Sequence, residues 1–247
     1  MKKIFTLIIF FLALAFSVGA QEEMQATKHL ESIVLGSGCF WGEEKRYEAI
    51  PGVVDAVSGY ADGRGVRPNY REITKAKNRF NPNNHAEVVL VVFNRNVVSA
   101  EDILKNYFEG HDPTQVNRQG NDIGTQYRSV ILTTNDQQNE IAKKLLNEFQ
   151  GLMSRQGYGK IVTKIKPLEK FYYAEEYHQD YLAKNPNGYC PDYSTGVVFK
   201  KNKNLVEIDN SLLLKGKQII VIESESCPYC AKFRETVLSS YKGTVPL

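Results

Sequence analysis

Ser32-Ile33-Val34-Leu35-Gly36-Ser37-Gly38-Cys39-Phe40-Trp41-Gly42 is the stretch that decides how the chain is read. Ser32 to Gly36 reads as a short strand. The stretch after Gly42 reads as a helix that stops before Pro51. A strand ending in glycine that hands directly to a helix places Cys39 near the helix N-terminus. Unpaired backbone N–H groups and the helix dipole there stabilise a thiolate. Small neighbours leave the sulfur approachable. These residues alone leave two readings open, a nucleophile and a buried inert cysteine, since free cysteine is among the most buried residue types.

Outward from this turn, strands and helices alternate. Val53 to Tyr60 is a second strand candidate. Tyr60 to Asn84 is rich in Gly, Asn, Pro and Arg and reads as a long loop. Val88 to Phe93 is a continuous apolar run, expected of a central strand covered on both faces. Ser99 opens a helix with Asp102 as its capping-box partner, and Ile103, Leu104, Tyr107 and Phe108 give it an apolar face. Gly110 to Thr125 reads as loop and Ser129 to Leu132 as a short strand. Thr134 with Gln137 is expected to cap the next helix, whose Ile141, Leu145 and Phe149 recur every four residues. A strand over Ile161 to Ile165 and a short aromatic-containing helix over Ala174 to Lys184 complete the pattern. The expectation is an α+β domain over residues 28–200, a mixed sheet with helices and long loops.

The two ends are different in kind. Residues 1–20 carry Lys2 and Lys3, an apolar run from Ile4 to Phe16, and the small residues Ser17, Gly19 and Ala20. This is the form of a secretory signal peptide, and the apolar run is short for a membrane span, although an uncleaved anchor is the alternative. Export implies a periplasmic or extracellular protein, with no stable membrane insertion after cleavage. The formal charge of +3 is largely that of the leader's two lysines, so nothing points to nucleic acid. Residues 201–216 read as a polar linker. Residues 217–247 hold a short β-type run, Ile219 to Ile222, then Cys227-Pro228-Tyr229-Cys230, then a helical pattern from Ala231 to Tyr241. A dithiol between strand and helix resembles the thioredoxin-like proteins, but the segment covers only part of such a fold. Half a zinc site is the alternative. No second cysteine pair exists and only four histidines are present, so no metal site is expected.

The likeness that resolves Cys39 extends far beyond it. Gly38-Cys39-Phe40-Trp41-Gly42 resembles the active-site signature of the A-type peptide methionine sulfoxide reductases. The resemblance continues through Pro68-Asn69-Tyr70-Arg71-Glu72-Ile73, His85-Ala86-Glu87, His111-Asp112-Pro113 and Gly120 to Ser129. It ends with Phe171 to Glu175, His178-Gln179 and Gly188-Tyr189-Cys190. The ordered blocks span most of the chain. Three departures stand out: the stretch from Thr74 to Asn84 is longer than is usual, Asn84 replaces a common glycine, and Asn69 replaces a common threonine.

The resemblance implies the family's ferredoxin-like core and its chemistry. Cys39 would attack the sulfoxide sulfur, and Glu87 would protonate the departing oxygen. Glu87 lies at the start of the buried strand, where desolvation favours its protonated form. Tyr70 and Tyr127 would hydrogen-bond the sulfoxide oxygen, and Asp122 would order the site. Phe40 and Trp41 would cage the S-methyl group, with core packing as the alternative. Cys39 would become a sulfenic acid, which Cys190 would resolve as a disulfide. No bound cofactor is implied, only a thioredoxin-type dithiol such as a partner protein or Cys227 and Cys230. The substrate would be the S epimer of methionine sulfoxide, free or in oxidised proteins. Two rival classes remain: a thiol–disulfide oxidoreductase working through Cys227 and Cys230, and a secreted module held by two structural disulfides.

Overall fold

The computed structural model describes residues 29–65, 67–189 and 191–199. The leader, Cys190, the linker and the segment with Cys227 and Cys230 lie outside the described residues. In chain order the elements are β1 (Leu30–Gly36), α1 (Phe40–Glu48), β2 (Val53–Ala61), α2 (Tyr70–Ile73), β3 (Ala86–Asn94), α3 (Ala100–Glu109), β4 (Arg118–Gln119), β5 (Asp122–Ile123), β6 (Val130–Thr133), α4 (Asp136–Arg155), β7 (Lys164–Pro167), β8 (Phe171–Tyr173) and α5 (Tyr181–Lys184). Short 3₁₀ turns occupy Ala76–Asn78, Thr125–Tyr127 and Glu176–His178.

Six strands form one mixed sheet in the order β7-β6-β1-β3-β2-β8, and β4 pairs with β5 separately. All neighbours in the large sheet are antiparallel except β6 and β7, which α4 separates in the chain. A parallel pair needs such a crossover. This is the α+β fold expected from the sequence.

Strand alternation sorts the apolar residues onto two faces. Ile33, Leu35, Val89, Val91, Phe93 and Ile131 join the larger core with Ile103, Leu104, Tyr107 and Phe108 of α3 and Leu145 and Phe149 of α4. Val34, Val88, Val130 and Leu132 form a smaller cluster with Ala61 and Ala86. Each large side chain so buried contributes roughly 1.5–3 kcal/mol against the chain entropy it orders.

The capping box of α3 is present: the Asp102 N–H donates to Ser99 Oγ at 3.1 Å and the Ser99 N–H to Asp102 Oδ2 at 3.3 Å. The cap of α4 falls one residue later than expected. Asn135, not Thr134, accepts from the Gln138 N–H at 2.8 Å. The Thr134 hydroxyl instead donates to the Ser32 carbonyl at 2.7 Å, pinning the turn to β1. The helix expected over Ala174 to Lys184 is replaced, after edge strand β8 ends at Tyr173, by a 3₁₀ turn and the short α5. Asp180 sits in the left-handed region at φ 49°, which no continuous helix accommodates. The strand expected to start at Ile161 starts at Lys164, because the Val162 N–H is engaged by the Pro113 carbonyl at 2.8 Å.

Two long loops hold more structure than their composition suggested, namely α2 and the β4–β5 hairpin. The sequence departures explain how the first is closed. The Asn69 side chain caps α2 by accepting from the Glu72 N–H at 2.9 Å. Asn84 is buried, and its Nδ2 donates to the Ile73 carbonyl at 2.9 Å. Among the described residues, no helix is long and apolar enough to cross a membrane.

Candidate active site

The turn that delivers Cys39 is built on backbone freedom. Gly38 has φ +120°, and a Cβ there would lie 3.0 Å from the Gln119 side chain. Cys39 is the extended N-cap residue of α1, half-buried and free of any disulfide among the described residues. The expectation of a resting thiolate is not met. Burial pushes the Cys39 thiol well above its ordinary value, and the charges of Glu87, Asp122 and Glu43 add to this, while the Trp41 backbone N–H opposes them. The resting group is a thiol.

Glu87 is the second residue of β3 and is 2 % exposed. Its Oε2 accepts from the Phe40 N–H at 3.3 Å, and its Oε1 has no hydrogen-bond partner among the described residues. Burial raises its carboxyl well above the usual range, and the charges of Asp122 and Glu43 reinforce this against the Phe40 hydrogen bond. With Oε2 occupied as an acceptor, the proton belongs on Oε1, free to be donated.

Tyr70 opens α2 and Tyr127 ends the 3₁₀ turn before β6. Burial pushes the Tyr70 hydroxyl up to about 12, with the charges of Glu87 and Cys39 next. Tyr127 is raised further by burial, Glu87 and Tyr70. Both phenols are therefore neutral O–H donors. Glu87, Cys39 and Asp122 lie near enough to both tyrosines to bear on their ionisation. Asp122, in β5, accepts from the Tyr193 hydroxyl at 2.6 Å and the Tyr189 hydroxyl at 3.3 Å, and these two hydroxyls are 2.8 Å apart. The Tyr193 ring lies against Gly120, where a Cβ would come within 2.3 Å of it.

Phe40 and Trp41 divide their roles. Phe40 is 1 % exposed and packs against Tyr60 and His178 at ring separations of 5.9 and 5.0 Å, so packing dominates there. Trp41 is partly buried, stacks on Tyr181 at 3.8 Å and donates from Nε1 to His178 Nδ1 at 3.0 Å. That bond assigns the His178 proton to Nε2, which has no partner among the described residues. Burial lowers the His178 pKa, so the ring is neutral near pH 7. Glu175 holds Tyr70 in place: it accepts from the Tyr70 N–H at 2.9 Å and from the Tyr60 hydroxyl at 2.7 Å.

Sequence reasoning assigned no role to Tyr193, Tyr189, His178, Glu175 or Glu43. Glu175, His178 and Tyr189 lie within the matched blocks, and Glu43 lies four residues after Cys39 on a helix start, the spacing that puts two side chains on one face. Its Oε1 accepts from the Ser37 N–H at 2.6 Å and its Oε2 has no partner among the described residues. Glu43 lines a cavity of about 220 Å³ together with Cys39, Ser37, Tyr189, Pro191 and Tyr193.

Residues 31–207 match the family model described as peptide methionine sulfoxide reductase. The chain is 48% identical over 169 residues to the peptide methionine sulfoxide reductase MsrA 1 of Caulobacter vibrioides, covering 68% of this chain and 76% of that one. It is 50% identical over 169 residues to MsrA of Agrobacterium fabrum, with the same coverages. Among solved structures it is similar to methionine sulfoxide reductase A of Corynebacterium diphtheriae, with TM-score 0.61 and 42% identity over 69% of this chain and 82% of that one. Family model, relatives and fold agree, and the chain belongs to the peptide methionine sulfoxide reductase family as one of its enzymes.

Proposed function

We propose that the enzyme returns the S epimer of methionine sulfoxide, free or in oxidised proteins, to methionine through a Cys39 sulfenic acid and a Cys39–Cys190 disulfide. The observation that carries this reading is the pairing of Cys39 with a buried, protonated Glu87 through the Phe40 N–H. A sulfoxide has an electrophilic sulfur and a poor leaving oxygen. Glu87 Oε1 gives its proton to that oxygen while the Tyr70 and Tyr127 hydroxyls donate to it. Cys39 attacks the sulfur, and its thiol proton returns to Glu87. The hydroxyl then passes from the substrate sulfur to the Cys39 sulfur as the bond between the two sulfurs breaks, so methionine leaves and Cys39 is left as S–OH. The acid form of Glu87 need not be regenerated from solvent, which suits a buried site.

Resolution by Cys190 follows from sulfenic acid chemistry. Cys190 lies outside the described residues, but Tyr189 and Pro191 on either side of it line the cavity shared with Cys39. A thioredoxin-type dithiol then reduces the disulfide by thiol–disulfide exchange. The leader sequence supports export to the periplasm or beyond, where Cys227 and Cys230 are the dithiol carried by the chain itself. The preference for the S epimer rests on the resemblance to the A-type family.

The test uses the fully reduced Cys227→Ser, Cys230→Ser protein and each enantiopure methionine sulfoxide without other reductant. One methionine formed per enzyme, two thiols lost and a Cys39–Cys190 bridge in the peptide map are expected from the S epimer. Equal reduction of the R epimer, or methionine formed with all thiols retained, overturns the reading.

A further inference from the structure

The proton handling of the first step is accounted for by Glu87, which leaves a second buried carboxyl beside Cys39 without a task. Glu43 is 4 % exposed and is fixed on one side only, by the Ser37 N–H. Its other oxygen is enclosed yet meets no donor among the described residues. A buried carboxyl with an idle oxygen costs stability unless it is protonated or serves a ligand. Its cavity, about 220 Å³, is lined by Cys39 and by the residues on both sides of Cys190, whereas Glu87 is not part of that lining. Cys39 thus has a separate carboxyl on the side where the resolving segment runs.

Resting on the sulfenic acid reading above, we infer that Glu43 is the acid of the second half-reaction, protonating the hydroxyl that leaves Cys39 when the resolving thiol attacks. The sulfur–oxygen bond of Cys39–SOH breaks as the new sulfur–sulfur bond forms. The departing hydroxyl takes the Glu43 proton and leaves as water. The attacking thiol gives up its own proton, which restores Glu43. The sulfenic sulfur is reduced, the thiol sulfur is oxidised, and no other reactant is needed.

The charge environment suits the task. Burial raises Glu43 to about 7, and the charge of Arg46 and the hydrogen bond from Ser37 limit the rise. The titratable groups that face it are Arg46 and Tyr47 on its own helix, Cys39 at the helix cap, Glu87 from β3, Tyr107 from α3, and Tyr189, Asp192 and Tyr193, which line the same cavity. Arg46 lines the same cavity but spends its hydrogen bonds on the Gly110 carbonyl at 2.8 Å and the Tyr47 hydroxyl at 3.3 Å, so it acts on Glu43 through charge. A carboxyl balanced in this way can give and regain a proton near neutral pH.

The experiment follows two rates in one quenched-flow series on the reduced protein: methionine formed, and thiols lost to the disulfide. Glu43→Gln, which keeps the acceptor for the Ser37 N–H, should lower the ratio of the second rate to the first by about 10²-fold. Glu43→Asp should recover part of that ratio. The wild-type disulfide rate should bend near pH 7, and that bend should be missing in Glu43→Gln. An unchanged ratio, or two rates that fall together, overturns the assignment and leaves Glu43 a packing residue. Should Glu43→Gln fold poorly, the Glu43→Asp ratio and the wild-type bend decide it by the same criteria. A dimedone adduct on Cys39 in a Cys190→Ser background checks the underlying reading separately. Its absence overturns the sulfenic acid itself, and with it the acid inferred to act on it.

Discussion

The backbone N–H of Phe40 donates to Glu87 Oε2 at 3.3 Å, tying the residue after the reactive cysteine to a carboxyl forty-seven positions later in the chain. The bond makes the start of α1 and the start of β3 one unit. It also fixes which Glu87 oxygen is left to hold a proton. Distance in sequence is bridged because β1 and β3 are adjacent and antiparallel, with Leu35 opposite Val89.

Glu87→Gln keeps the Phe40 acceptor and removes the proton. Single-turnover methionine formation should slow by about 10²-fold or more, the usual scale of general acid catalysis. Because burial holds Glu87 well above the ordinary carboxylate range, the wild-type rate should show no loss of acid form as pH rises through about 4.3, the unperturbed value. A wild-type rate that falls with that ordinary ionisation, or an unimpaired variant, assigns the acid elsewhere.

Cys190→Ser separates reduction from recycling. It should form one methionine per enzyme and then stall when supplied with a thioredoxin-type dithiol. Steady turnover with that dithiol would show that another thiol resolves Cys39.

Much of this was legible because local rules agreed with the fold. The strand, glycine and helix order around Cys39, the Ser99–Asp102 box and the apolar run at β3 each depend on neighbours in sequence. The Cys39 protonation state was not legible. The helix N-terminus argues for a thiolate, but burial outweighs it, and acidic side chains contributed by β3, β5 and α1 act in the same direction. Tyr193 was equally hidden: among fourteen tyrosines, only the fold shows that its hydroxyl meets Asp122. The break at Asp180 was missed because helical periodicity says nothing of a left-handed residue within the run.

The Asp62–Arg128 pair offers a stability test away from the chemistry. Asp62 Oδ2 lies 3.0 Å from Arg128 Nη2, and Lys166 Nζ lies 2.6 Å from Oδ1, with the Asp62 and Arg128 side chains 11% and 8% exposed. Burial pushes Asp62 up, but the Lys166 hydrogen bond and the charge and hydrogen bonds of Arg128 outweigh it and hold the carboxyl below the usual aspartate range. A depressed folded-state value means the stabilisation is present above the ordinary aspartate value and is lost as pH falls toward the folded one. Asp62→Ala should therefore cost about 3 kcal/mol near pH 7, since it strands a buried guanidinium. The deficit should shrink below about pH 4. Denaturant unfolding at both pH values checks it, and an equal deficit at both would show that charge is not its source.

The final prediction concerns the source of electrons. An exported enzyme works in an oxidising compartment where free reduced thioredoxin is not expected. A dithiol on the same chain, joined through the polar linker at residues 201–216, would act on the Cys39–Cys190 disulfide at high effective concentration. Cys227 precedes a helical pattern, the position that favours a reactive thiolate, and Cys230 is spaced to close the exchange. Attack by Cys227 forms a mixed disulfide that Cys230 then releases. In Cys230→Ser the release is blocked, so the mixed disulfide should accumulate during turnover with methionine sulfoxide. Its partner, Cys39 or Cys190, is read from the cross-linked peptides by mass spectrometry. Reduction of the disulfide by an added dithiol protein at the same rate in Cys227→Ser and the parent, with no Cys227 cross-link found, would assign the electrons to a separate donor.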